Sequence, residues 1–545
     1  MNTPIYNHLL ELKKKKRIPF HMPGHKRKKT GAFFGVEEID ITEISGYDNL
    51  HQPEGIIRES MKLLKKIYGT RKSWYLVGGS TMGIFVSISS ICRQGDKILI
   101  ARNSHKAVYN CVQLLQLEAV YCYPEISETY DIYREIKPEE IEKQIKTHPD
   151  IKAVVITSPT YEGVVSDIKK IKEILLPYQI PLIVDEAHGA HLLFDDYFPD
   201  SAVECGADLV IQSTHKTLPS FTQTAVLHLC SEKIRAGQVE EMIDIYETSS
   251  PSYLLLASAE YGIMYMHENR EKVNQYVDLL KEFRKKCQQL HAIQLLEKEI
   301  LGVFDYDRGK LVFSIKNLED TSDQIPKMDG KELFRILLEK YHIELEMENS
   351  SYVIAMTSVC DEKEDFQRLW EALRQIDREL LSQQKKQDRL SEKESGQSGY
   401  QQKKQDRSSK RESEQSRYQQ KKQNRSSKKE SGQSGYQKTK IRYPEKIKEA
   451  WECRDCPLTQ VPMDEAEGRI SGKYVMVYPP GIPMVVPGEK IIKEIVENVR
   501  YYLYNGYNVI GLSDNQFVVI QDYADRKSDR NIKFLDKNEE QTDEF

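Results

Sequence analysis

Two side chains in this sequence stand where amine–aldehyde chemistry would need them. Asp185 ends the apolar run PLIVD and opens DEAHGAH (185–191), and Lys216 lies in STHKT (213–217), just past the run DLVIQ. They are 31 residues apart, about one strand–helix–strand crossover. Consecutive crossover strands often lie side by side, which would turn the carboxylate and the amine toward one pocket. Pyridoxal phosphate (PLP) requires such a pair. A lysine amine condenses with its aldehyde. A carboxylate against the pyridine nitrogen favours the protonated ring that accepts electrons from a carbanion. The plain alternative is a buried aspartate and an ordinary surface lysine.

Further residues point the same way. Gly78-Gly79-Ser80-Thr81 precedes the apolar helical run Met82–Cys92. Glycines let a backbone approach a ligand, hydroxyls donate, and a helix start favours an anion, so this is a fitting phosphate cradle. Such turns are also common helix caps. Ser213 and His215 could add phosphate contacts beside Lys216, and His105, after the run KILIA, could lie against a planar ring.

The elements that must position these residues are legible as an alternation. Lys97–Ala101, Lys152–Thr157, Pro181–Asp185 and Asp208–Gln212 are short Val/Ile-rich runs, with helical patterns such as Pro138–Thr147 and Asp167–Tyr178 between them. That pattern predicts an α/β fold, a mostly parallel sheet flanked by helices, with ligands beyond the carboxyl ends of the strands. Lys310–Ile315 and Tyr352–Met356 read as strands, and Gly330–Tyr341 and Glu364–Leu381 as helices, of a smaller α+β unit. Past residue 440, strands Tyr474–Val477 and Phe517–Gln521 and a helix Glu489–Tyr504 form another. The expected division is 1–300, 301–382, 383–440, 441–530 and an acidic tail 531–545.

The stretch 383–440 stands apart. An 18-residue unit begins at residues 383, 401 and 419, rich in Gln, Lys and Ser, with one Tyr per copy (Tyr400, Tyr418, Tyr436). It lacks the apolar face that stacked repeats need and reads as a disordered basic linker. It holds 17 Lys/Arg against 7 Asp/Glu, a local charge of +10 in a chain of net −5. The remainder, at −15, is acidic, which argues against nucleic acid as the main ligand of the folded part. No apolar run is long enough to cross a membrane and no secretory signal is evident, so a cytoplasmic protein is expected. The Lys13–Arg17 run reads as the exposed end of a first helix. Nine scattered cysteines suit a reducing compartment. Cys453 and Cys456 form a C-x-x-C without a second ligand pair, and no metal site is expected.

Taken together, these motifs resemble the Orn/Lys/Arg decarboxylases, PLP enzymes of fold type I, in the shorter form that lacks an N-terminal wing domain. The resemblance runs through PFHMPGHKR (19–27), GYDNLHQPEG (46–55), GGSTMG (78–83), RNSHKA (102–107), TSPTYEG (157–163), DEAHGAH and STHKT, and resumes in EGRISGKYVMVYPPGIPMVVPGE (467–489). It implies decarboxylation of arginine, lysine or ornithine to a polyamine-pathway amine. It also implies Lys216 as the Schiff-base lysine, Asp185 on the pyridine nitrogen and His105 on the ring. Ser80, Thr81, Ser213 and His215 would bind the phosphate, His188 would lie near the cofactor, and Ser249 in TSSPSY (248–253) would reach a neighbouring subunit's phosphate. A homodimer or larger homo-oligomer follows. Glu489 and Asp48 are motif-position candidates for the substrate's cationic end, although Glu489 could equally cap the helix it was read to start. Another fold-type I reaction, such as aminotransfer, and a non-catalytic PLP-binding protein are the alternatives.

Overall fold

The computed structural model describes residues 1–15, 26–27, 35–315, 328–383 and 438–521. The repeat read as a linker, the acidic tail and most of PFHMPGHKR lie outside the described residues. At its centre is a seven-stranded sheet: β1 Lys72–Leu76, β2 Lys97–Ala101, β3 Glu118–Cys122, β4 Ile151–Thr157, β5 Leu182–Asp185, β6 Leu209–Gln212 and β7 Ala225–Leu229. Its order is β1-β7-β6-β5-β4-β2-β3. Pairing is parallel from β6 through β3, while β7 runs antiparallel to both neighbours. Six strands therefore send their carboxyl ends to one edge.

Alternation along the strands explains why they hold. Ile98, Ile100, Val155, Ile183 and Ile211 pack into one core layer, and Leu99, Val154, Ile156, Val184 and Val210 into a second across the sheet. β-Branched side chains suit the pleat, and each fully buried Val or Ile contributes roughly 1.5–3 kcal/mol. The first layer is covered by helices including α1 Pro4–Lys14, α2 Ile56–Tyr68, α3 Gly79–Ser89 and α4 Lys106–Leu114. The second is covered by α5 Pro138–Thr147 and α6 Ile168–Leu175. The Asp167 carboxylate accepts the Lys170 N–H at 2.9 Å and starts α6. The expected helix to Tyr178 instead tightens to a 3₁₀ turn over Leu176–Tyr178, at Pro177.

A four-stranded antiparallel sheet follows: β8 Gln294–Leu295, β9 Lys310–Ser314, β10 Met347–Glu348 and β11 Tyr352–Met356, in the order β8-β9-β11-β10. The C-terminal part holds two three-stranded sheets and a helix over Lys493–Tyr504. That helix starts four residues later than its sequence predicted. Glu489 and Lys490 are extended and bridge Lys446 and Ile470. No helix among the described residues is long and apolar enough to cross a membrane.

Candidate active site

Strand ends and helix starts converge on one pocket above the carboxyl edge of the sheet. Its wall includes Ser80, Asn103, His105, Thr157, Asp185, His188, His215 and Lys216 from the central unit. Glu346 and Met356 come from the four-stranded sheet, and Tyr478, Pro479, Pro480 and Ile482 from the C-terminal part. Adjacent pairing of β5 and β6 brings Asp185 and Lys216 together.

Each side chain is held by local structure. Asp185 is 3 % exposed, and its Oδ1 accepts the Ala187 N–H at 3.2 Å. Burial raises its carboxyl above the ordinary range, and Lys216 and that N–H partly offset the rise. Burial lowers the Lys216 ammonium, with Asp185 and Glu346 opposing. His105 caps α4, its Nδ1 accepting the Ala107 N–H at 3.2 Å. Burial, then the Lys216 and Lys106 charges, bring its pKa down to about 4, so the ring is neutral at neutral pH. His215 donates from Nδ1 to the Thr224 carbonyl at 2.9 Å. The Gly78–Gly79 turn is fixed from behind: Glu247 Oε2 accepts the Val77 and Gly78 N–H groups at 2.9 and 3.1 Å. Gly79 takes φ +74°, a conformation that disfavours a side chain. Ser80 then falls in the first turn of α3. Lys106 N–H donates to the Gly481 carbonyl at 3.3 Å, seating the PPGIP segment beside His105.

Buried polar atoms on or beside this wall lack a hydrogen-bond partner, among them Asn103 Oδ1, Ser104 Oγ, Thr157 Oγ1, Ser213 Oγ and Thr217 Oγ1. Leaving such a group unmet costs about 1–3 kcal/mol. Clustered with a lysine and a carboxylate, they suit a polar cofactor, and the donors and acceptors present fit PLP.

Not every candidate lies here. Thr81 and Ser249 are solvent-exposed and absent from the pocket wall, and Ser213 is buried behind it rather than lining it. Asp48 and Glu489, read as partners of the substrate's cation, are engaged elsewhere. Asp48 accepts N–H groups from Asn49, Glu54, Gly55, Ile57 and Arg58 and closes the turn before α2. Glu489 is 1 % exposed and paired to Arg102, with Oε2 2.9 Å from Nη2 and Oε1 3.2 Å from Nε. Glu489 also does not cap the helix, whose cap is Ile492. The carboxylate that does reach the pocket besides Asp185 is Glu346, hydrogen-bonded by the Tyr161 hydroxyl. Nothing in HIELEMEN marks Glu346, since only the packing of the second sheet brings it there. Among the described residues no cluster of His, Cys, Asp or Glu could hold a metal.

Comparison with known proteins gives a consistent picture. Residues 3–324 match the family Orn/Lys/Arg decarboxylase, major domain, and residues 441–506 match Orn/Lys/Arg decarboxylase, C-terminal domain. The chain is 29% identical to the arginine decarboxylase of Bacillus subtilis (strain 168), over 96% of this chain and 99% of that one. It is 31% identical to the uncharacterized protein YaaO of the same strain, over 92% and 94%. The structure of the E. coli constitutive lysine decarboxylase superposes with a TM-score of 0.73 at 17% identity, covering 95% of this chain and 82% of that one, which establishes a shared fold.

Proposed function

Because this chain belongs to the Orn/Lys/Arg decarboxylase family, we propose that it removes CO₂ from the α-carbon of a basic amino acid, arginine first, using PLP held on Lys216. The observation that carries this is the pocket itself. It brings an amine and a buried carboxylate into one wall with a second carboxylate, Glu346, which would meet the substrate's cation.

Asp185 would sit against the pyridine nitrogen and His105 on the ring. Ser80, Thr81, Ser213 and His215 would carry the phosphate, and Ser249 would reach the neighbouring subunit's. Bound there, PLP supplies an electron sink for the bonding pair that departing CO₂ leaves behind. The remaining work falls to the chain. Burial makes Lys216 ready to surrender its proton and act as a nucleophile. The Tyr161 hydroxyl steadies Glu346, leaving carboxylate lone pairs for a guanidinium or ammonium. Met356, Pro479, Pro480 and Ile482 form an apolar wall that sheds water from the α-carboxylate, favouring its conversion to neutral CO₂. Lys216 would return a proton to the α-carbon. Arginine as substrate draws support from the Bacillus relative. The same reading takes the enzyme as a cytoplasmic homo-oligomer serving polyamine synthesis, in line with nine cysteines that are all free.

The test is to incubate PLP-loaded protein with arginine, lysine and ornithine separately, measuring CO₂ and amine beside Lys216→Ala. Equimolar CO₂ and amine from arginine support the reading. Amine exchange with a keto acid and no CO₂ would replace it with aminotransfer.

A further inference from the structure

Lys310 is a buried cation that the chemistry above leaves unused. It opens β9, is 1 % exposed, and places Nζ 2.8 Å from Nδ1 of His188. The other ring nitrogen of His188, Nε2, lies 3.0 Å from Nζ of Lys216. The Lys310 stem is pinned: Gly163, at φ +110°, packs so closely that a Cβ there would sit 2.9 Å from its Cγ. The Tyr161 ring lies 5.6 Å from its ammonium.

A neutral imidazole has one N–H and one lone pair. Between two lysines it therefore accepts from one and donates to the other, and the lysine that accepts must be a free amine. Burial, then the Lys310 and Lys216 charges, hold His188 well below its ordinary pKa, so the imidazolium form is disfavoured. One positive charge is left for the two lysines to share.

We propose that Lys310 is a positioning and proton-holding residue for Lys216, acting through His188. When Lys310 carries the charge it donates to Nδ1, the ring hydrogen sits on Nε2, and Lys216 is the free amine. In the converse state Lys216 gives a proton to Nε2 while the Nδ1 proton passes to Lys310, so the transfer moves charge without changing its sum. The surroundings divide between the two ends. Asp307 and Glu162 stabilise charge on Lys310, Asp185 stabilises it on Lys216, Glu346 faces both, and His105 and His215 stand beside His188. Asp307 is itself anchored 3.0 Å from His191. Burial brings Lys310 down to about 8, near enough to neutrality for the charge to move. The proposal rests on Lys216 being the cofactor-binding amine, but it concerns the protein before cofactor arrives.

The test uses PLP-free protein and trace acetylation of Lys216 across pH, read by peptide mass spectrometry. Lys310→Met removes the neighbouring charge and the proton acceptor. Lys216 should then keep its proton to higher pH, and its labelling at pH 7 should fall about tenfold, one pKa unit. Lys310→Gln, which keeps a hydrogen bond without the charge, should show the same fall, and it decides the matter if the Met protein does not fold. Lys310→Arg keeps the donor and the charge but cannot take up a proton, so Lys216 labelling should stay at or above the wild-type level. Wild-type labelling in a folded Met or Gln protein, or depressed labelling in the Arg protein, overturns the proposal. Failure of the decarboxylation assay would not move these readouts.

Discussion

Two of the buried polar clusters among the described residues differ in whether their bonding is complete. Around Arg102 and Glu489 every side-chain atom has a partner. The guanidinium donates to both carboxylate oxygens, to the Pro483 and Met484 carbonyls and to the Tyr109 hydroxyl, and Glu489 also accepts the Val486 N–H at 2.8 Å. Around Lys216 the bonding is unfinished, with Asn103, Thr157 and Ser213 each holding an unmet atom. The first cluster ties the C-terminal part to the central unit across 387 positions of sequence. The second has the unmet valences of a site that a ligand completes. Between these two clusters, completeness of bonding rather than charge or burial is what differs.

Mutations can break the contrast from either side. Lys216→Ala should abolish CO₂ release while leaving thermal unfolding of the PLP-free protein essentially unchanged. Glu489→Ala should do the reverse first. It leaves Arg102 buried and unpaired, at a cost of about 3–5 kcal/mol, seen as a lowered denaturation midpoint, with Glu489→Gln milder. Glu346→Gln should lower kcat/KM for arginine by about 10–100-fold, the worth of one charge-assisted hydrogen bond, with unfolding unaffected. A loss of stability there instead would make Glu346 structural.

The smallest effect concerns pH. Burial depresses His228 to about 3 and His105 to about 4 from 6.5. A histidine whose pKa is lowered by folding stabilises the protein above 6.5, and that contribution is lost as pH falls toward the folded value. Each should therefore cost about 2 kcal/mol at pH 5. His228 lies between Ser73 and Gln212, away from the pocket. His228→Gln should flatten the acid side of a stability–pH curve without altering catalysis at pH 7.

That Asp185 and Lys216 would share one pocket was legible in the sequence, for a physical reason. Asp185 ends one apolar strand and Lys216 follows the next within four residues, and parallel strands present their carboxyl ends together, so local pattern and site location coincide. Strand runs such as KILIA and the helix Pro138–Thr147 were legible on the same grounds, because alternation and amphipathic period are local properties. The contribution of the second sheet was not. Glu346 and Lys310 arrive from a second sheet whose docking no local pattern encodes. Glu489 was misleading because VVPGE displays an acid while its partner Arg102 lies far upstream. Asp48 was misleading because a carboxylate that collects backbone N–H groups looks, in sequence, like one awaiting a cation.

The most direct measurement is the site of covalent PLP attachment. PLP-loaded protein would be reduced with borohydride, digested and mapped by mass spectrometry. The account predicts the phosphopyridoxyl adduct on Lys216 alone, lost in Lys216→Ala. An adduct on Lys310 or on surface lysines, with Lys216 unmodified, would contradict the assignment of this pocket.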